Sequence, residues 1–275
     1  MSMTKDAIQH IQETATGPVF MGHLDGMVQK PAILVPESMR IEDVEKYMDY
    51  ASRYRMKYRT TLLADYLTYG KEHGSDSLCL VDPETMSALT IFDVGTPDKP
   101  GHKEHVATLS LAKTAAYKSL EKLSSDRLSQ KSAAEFIEEW GDYIAVEDSS
   151  GEEIPKSSAV ATIRDLTIDS ARKLNSSVGD FSDSKSLMEK LEMSGSGSLP
   201  ARILFTCSPY HGLKTRVIRL RVSMLVGGAQ PELSFKVLCA EQLNEDICEE
   251  FKDLVVAGFE GVSIKTYIGA IDARR

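Results

Sequence analysis

Long apolar runs are missing from this chain. None approaches the roughly 18 residues that a bilayer-spanning helix needs, so no membrane span is expected. The first residues, "MSMTKDAIQHIQETATG", lack the apolar core of a secretory signal, and a cytoplasmic protein is expected. Cysteine is scarce: Cys79, Cys207, Cys239 and Cys248 lie far apart and form no C-x-x-C pair. That spacing offers neither a zinc cluster nor a compact disulfide framework. Three of the four fall in apolar patterns, which points to reduced, buried thiols. A G-x-S-x-G nucleophile turn and an H-E-x-x-H helix are both absent, and no Lys-Ser/Thr follows the "GSGS" at 195–198. The usual signatures of a hydrolase, a metalloprotease and a phosphate loop are therefore wanting.

Some titratable clusters do occur. "GHKEH" (101–105) brings His102, Glu104 and His105 close in sequence, but in a Pro/Gly loop both histidines are expected to face water. "SPYHG" (208–212) reads as a turn between strands, with His211 the one candidate for catalysis in it. The pairs Glu138-Glu139 and Glu249-Glu250 sit on polar faces of helical patterns, so solvent exposure accounts for them. Nothing assembles a general acid, a base and a pocket. No cofactor and no metal is expected, and an unrecognised hydrolase built on His102, His105 or His211 stays only as an alternative.

What the chain does have is charge in unequal, patterned supply. Its 275 residues carry 41 acidic and 32 basic side chains, a net charge of -9. That balance disfavours indiscriminate binding to DNA or an anionic membrane without excluding a local basic patch. With 42% hydrophobic and 27% charged residues the composition is that of a globular protein. Two tracts hold cations and no acid. In "SRYRMKYRT" (52–60), Arg53, Arg55, Lys57 and Arg59 alternate with Tyr54, Met56 and Tyr58. This is the period of a strand, with the cations on one face. Between Glu192 and Glu232 there is again no acid, and "TRVIRLRVSM" sets Ile218, Leu220, Val222 and Met224 on one face and Arg219 and Arg221 on the other. A paired strand would add Lys236 to that outward face. Two readings of these surfaces are open. The cations meet carboxylates, within the subunit or across a homo-oligomer interface, or they meet the phosphates of single-stranded nucleic acid, with tyrosines for the bases.

Periodicity places the other elements. Helices are expected over 4–16 and over 41–51, with Ile41, Val44 and Met48 on one face, and a strand at 32–36. A helix follows from Thr61, capped by Thr60 or Thr61, and then a three-stranded meander over 78–111. Two further helices come next, the second capped by Ser129 and striped by Ala133, Phe136, Ile137, Trp140, Tyr143 and Ile144. "EDSSGEEIPKSS" (147–158) is the best linker between a region 1–146 and a region 159–275, or else lies within one continuous domain. Helices at 159–174 and 183–192, strands at 201–207, 215–226 and 232–240, a helix at 244–257 capped by Asn244, and a last strand at 262–271 complete the reading. Strands and helices are segregated, so the class is α+β with mainly antiparallel sheet.

The order of segments carries a resemblance. The basic strand running into "TTLLADYLTYGKEH", the meander "VDPETMSALTIFDVGTPDKPGHKEHVATL", "LSQKSAAEFIEEWGDYI", "VGDFSDSKS" and "LPARILFTCSPYHGL" together resemble the YfdQ-like family of phage and prophage proteins, from about residue 40 onward. The resemblance implies a phage or prophage origin and a cytoplasmic location in a bacterium. It brings no catalytic residue to any position here. The expectation is a non-catalytic protein that self-associates and binds through Arg53, Arg55, Lys57, Arg59, Arg219, Arg221 and Lys236; an accessory factor for single-stranded nucleic acid is the alternative.

Overall fold

The structure is a computed structural model that describes residues 4–7, 10, 19–21, 32–34, 45–165, 200–225 and 231–270. It divides into two compact units, Met1–Tyr54 and Arg55–Arg275. The helix expected at 183–192 and the "GSGS" at 195–198 lie outside the described residues, as does most of the helix expected over 4–16.

In the first unit, β1 (Val19–Met21) pairs antiparallel with β2 (Ala32–Leu34). Of the helix expected over 41–51, the described residues form only a 3-10 turn, Glu45–Tyr47. The Glu45 carboxylate accepts from both the backbone N–H and the hydroxyl of Ser52, at 2.6 and 2.5 Å, which holds the chain in a bend instead of a continuing helix. Met48 is 64% exposed.

The second unit is α+β, with two sheets that are mostly antiparallel. The first sheet starts with β3 (Met56–Thr60), α1 (Leu63–His73) and the meander β4 (Ser77–Asp82), β5 (Ser87–Ile91) and β6 (His105–Ser110). The second takes β7 (Arg127–Ser129), β8 (Ile144–Glu147), β9 (Glu153–Ile154), β10 (Arg202–Cys207), β11 (Arg216–Leu225) and β12 (Glu232–Val237). Helices α2 (Ala115–Ser125), α3 (Gln130–Glu139) and α4 (Lys156–Asp165) lie between these strands in the chain. After β12, α5 (Ala240–Gly258) leads to β13 (Ile264–Ile268), which returns to the first sheet. The five-stranded order is β13-β4-β5-β6-β3 and the six-stranded order β7-β12-β11-β10-β8-β9. Only the outer pairs of the five-stranded sheet, β13 with β4 and β3 with β6, are parallel.

Each sheet buries one face under helices. Ile203, Phe205, Ile218, Leu220, Val222, Leu233 and Phe235 pack with Leu120 of α2, Ile137 of α3 and Ile163 of α4. Cys79, Val81, Ala107 and Leu109 pack with Tyr66 of α1 and Ile247, Phe251 and Val255 of α5. Tyr117 and Leu243 touch both cores. Alternation explains the strands: on β10 the buried residues are Ile203, Phe205 and Cys207, at every second position. The buried hydroxyl of Tyr66 is satisfied by Thr90 Oγ1 at 2.6 Å. Helices α1 and α5 approach closely through glycine, since a Cβ at Gly70 would overlap the Phe259 ring and one at Gly258 the tip of Leu67.

Several boundaries differ from expectation. Helix α1 has Leu62, not a threonine, at its N-cap position; Thr60 Oγ1 instead accepts from Leu62 N at 3.1 Å. Ser129 does cap α3, accepting from Ser132 N. The stripe beyond it leaves the helix at Trp140, so Tyr143 lies in a 3-10 turn and Ile144 in β8. Residues expected to link two regions form the β8–β9 hairpin, Val146 opposite Ile154 and Glu147 opposite Glu153, turning at Gly151 with φ 88°. Helix α5 begins at Ala240, ahead of Asn244, after Cys239 in left-handed conformation.

Candidate functional site

The strands of the six-stranded sheet align charge across their outward face. Ile218, Leu220, Val222 and Met224 are buried as the alternation requires, and Arg219 and Arg221 are exposed. Arg221 lies opposite Arg202 on β10 and opposite Lys236 on β12. Arg202 in turn lies opposite Glu147, and Glu147 opposite Glu153. One row across five strands therefore reads Lys236, Arg221, Arg202, Glu147, Glu153. Neighbouring strands are about 4.8 Å apart, so Arg221 has a cation on each side. Like charges directly opposite one another destabilise a sheet.

Little within the described residues offsets that repulsion. Arg202 reaches Glu147 at 3.9 Å. Among the described residues, no ion pair involves Arg219, Arg221 or Lys236. Arg127, opposite Ser234 on β12, adds a further outward cation one step along the strands. The outward positions described on this sheet carry no aromatic side chain.

The other basic tract belongs elsewhere. Arg53 falls in the first unit, and Arg55 precedes β3 and pairs with Glu104 at 3.1 Å, so the expected strand over 53–59 begins only at Met56. Lys57 and Arg59 are exposed on an edge strand of the five-stranded sheet. Their rows continue through residues that are apolar apart from Thr108: Lys57, Val106, Ile91, Leu78, Lys265 in one and Arg59, Thr108, Leu89, Leu80, Tyr267 in the next. Here the cations border an apolar strip and have no like-charged neighbour across the strands. Of the candidate cations, Arg221 and Lys236 alone lie directly opposite one another across strands, with Arg219 beside them on β11.

The three candidate histidines differ in setting. His102 and His211 are exposed. His105, expected in water, is 7% exposed, because it opens β6 with its side chain on the helix-covered face. Tyr69 Oη lies 3.0 Å from its Nε2, the Phe92 ring is 4.4 Å away and the His73 ring 5.3 Å. Its backbone N–H donates to Asp93 Oδ1 at 3.0 Å. Burial, then the nearby His73, pull its pKa below the ordinary value, and Asp93 opposes them. Among the described residues no group of three or more His, Cys, Asp and Glu could hold a metal ion.

Cys79 and Cys207 are buried and Cys248 half-buried, with pKa values raised chiefly by burial; Cys239 is exposed. Glu250, expected on a solvated face, is instead nearly buried and binds Arg216 Nη2, whose partner on the same helix is the Asp246 carbonyl at 3.0 Å. The sequence gives no local sign of this pair because its members lie 34 residues apart. Among the described residues, one open groove of about 430 Å³ lies between α3 and α4 and includes Ile137, Val160 and Arg164.

Among the described residues, no helix is long and apolar enough to cross a membrane. In comparisons with known proteins, a family model described as "Uncharacterized conserved protein (DUF2303)" matches residues 1–271. No curated protein matches, and no solved structure does.

Proposed function

The chain is a member of the DUF2303 family, and we propose that it is a non-catalytic protein that works by docking, with the cationic part of the six-stranded sheet's outer face as the surface that receives an anionic partner. One observation carries this reading: Arg221 has Arg202 and Lys236 directly opposite it on the two flanking strands. Serine or threonine at these positions would suit an exposed sheet face without the repulsion. An anion laid over the three cations removes the repulsion and gains charge-assisted hydrogen bonds from arginine. A phage or prophage origin and a cytoplasmic setting belong to this proposal through the family resemblance alone.

The phosphates of single-stranded nucleic acid are the second reading. Five outward cations favour it: Arg127, Arg202, Arg219, Arg221 and Lys236. The described outward positions of the sheet hold no aromatic on which bases would stack, which favours the first reading. Thermal melting at low salt in the presence of poly-L-glutamate or of oligo(dT) tests both. Either polyanion should raise the melting temperature by several degrees. The gain should vanish at about 1 M salt, where the screening length falls to about 3 Å. It should also vanish in the variant carrying Arg221→Ala and Lys236→Ala. Oligo(dT) acting well beyond poly-L-glutamate at equal charge would favour the nucleic-acid reading. Indifference of the parent protein to both polyanions would overturn the docking surface.

A further inference from the structure

We infer that the anionic partner is a second copy of this chain, seated face to face on the first about a two-fold axis parallel to β10; this rests on the docking reading above and names its occupant. The argument is the order of charges. Across β12, β11, β10, β8 and β9 the row reads Lys236, Arg221, Arg202, Glu147, Glu153, positive over one part and negative over the other. A two-fold interface brings one patch against itself, so the patch must be its own complement. A half-turn about a line along β10 lays Lys236 over Glu153 of the second copy and Arg221 over its Glu147. The reciprocal pairs form at the same time. The two Arg202 side chains fall near the axis, each 3.9 Å from the Glu147 of its own chain.

A phosphate chain laid along the same row would meet Glu147 and Glu153, which repel it. A second copy turns those two acids from a liability into ligands. The pattern that is unfavourable within one chain, three cations abreast, becomes favourable with the row's other half opposite it.

Size and twist set the strength. The five strands, about 4.8 Å apart and running from about 7 Å for β9 to about 33 Å for β11, cover roughly 450 Å² on each copy. The total of about 900 Å² lies below the range of stable interfaces and within that of weak ones. Packed sheets also cross at about 30°, so the pairs nearest the axis stay in register best and the Arg221–Glu147 pairs matter more than the Lys236–Glu153 pairs. The association is therefore weak, dependent on concentration and sensitive to salt.

Sedimentation velocity of the full chain over a concentration series, at low and high salt, reads it directly. The parent should shift toward twice the monomer mass as concentration rises at low salt and return to monomer at high salt. Lys236→Glu alone and Glu153→Lys alone should each weaken association about tenfold, and the two together should restore it. Arg221→Glu should abolish it. Lys236→Glu removes a like-charged neighbour of Arg221, so this variant should melt no lower than the parent, and its loss of association is not a loss of fold. A parent that stays monomeric at every concentration, single variants that associate like the parent, or a double variant no better than the singles would each overturn the inference. If the parent stays monomeric but poly-L-glutamate still stabilises it through Arg221 and Lys236, the docking surface stands with another occupant. If poly-L-glutamate and oligo(dT) also have no effect, both fall together.

Discussion

The two sheets of Arg55–Arg275 share a plan and differ in what they turn outward. Each buries one face under helices, α1 and α5 for the five-stranded sheet and α2, α3 and α4 for the six-stranded one. On the first, cations stand at the edges and leucine, isoleucine and valine fill the middle. On the second, charges stand side by side across strands. The two basic tracts, so alike in sequence, are therefore physically unlike. Lys57 and Arg59 are solubilising flanks of an apolar strip, whereas Arg221 sits in electrostatic conflict with its neighbours. Counting cations would rank the first tract higher; their cross-strand neighbours reverse the order.

The comparison can be broken from the inside first. Phe205 and Phe251 are each fully buried, one in each core. Truncation to alanine should cost about 3–5 kcal/mol in either case. Because Tyr117 and Leu243 join the two cores, both variants should shift one common unfolding transition in urea, followed by circular dichroism. Two separate transitions would mean that the sheets are independent units.

Next in size is the α1–α5 contact that supports only the five-stranded sheet. Gly70→Ala drives a methyl into the Phe259 ring and should cost about 1–3 kcal/mol. Gly258→Ala meets the flexible end of Leu67 and should cost less. Urea midpoints would rank the pair.

A pH dependence should also arise from a group of the five-stranded sheet. His105 titrates below its unfolded value because burial and His73 disfavour its charge. Stability is then intact above about pH 6.5, the unfolded histidine value, and declines as pH falls from there through the folded pKa. His105→Gln should flatten that decline in urea melts taken between neutral and mildly acid pH. An unchanged decline would assign it to other groups.

The smallest effect is the sharpest for the comparison. Arg221→Glu places an acid between Arg202 and Lys236 and should stabilise the isolated chain by up to about 1 kcal/mol for each neighbour. Lys57→Glu, with Val106 opposite, should stay within about 0.5 kcal/mol of the parent. Equal responses would erase the distinction between the faces.

The α+β class was legible in the sequence because strand parity is a local signal. Ile218, Leu220, Val222 and Met224 announce their buried face, and Lys236 follows once β12 pairs with β11. The rest of the row was not legible, since placing Glu147 and Glu153 beside Arg202 requires a pairing between segments far apart in the chain. The acidic, serine-rich stretch around them has the composition of a linker, and one buried residue, Ile154, anchors it as a hairpin. Asn244 has the chemistry of a cap, yet the helix starts earlier because Cys239 adopts the left-handed turn that redirects the chain. His105 was misplaced for a related reason: the loop composition around it conceals the first residue of β6.

The parallel edge of the five-stranded sheet has a temporal meaning. Ile264 of β13 pairs with Ser77 of β4, and beside that pair the Ser263 hydroxyl reaches Asp76, 187 residues away. At about 5–20 residues per second, a ribosome leaves β4 waiting roughly 10–40 s for this neighbour. During that interval its backbone amides and carbonyls on that side must stay hydrated or be shielded. The early meander is thus the stretch on which a nascent-chain chaperone would have most to do.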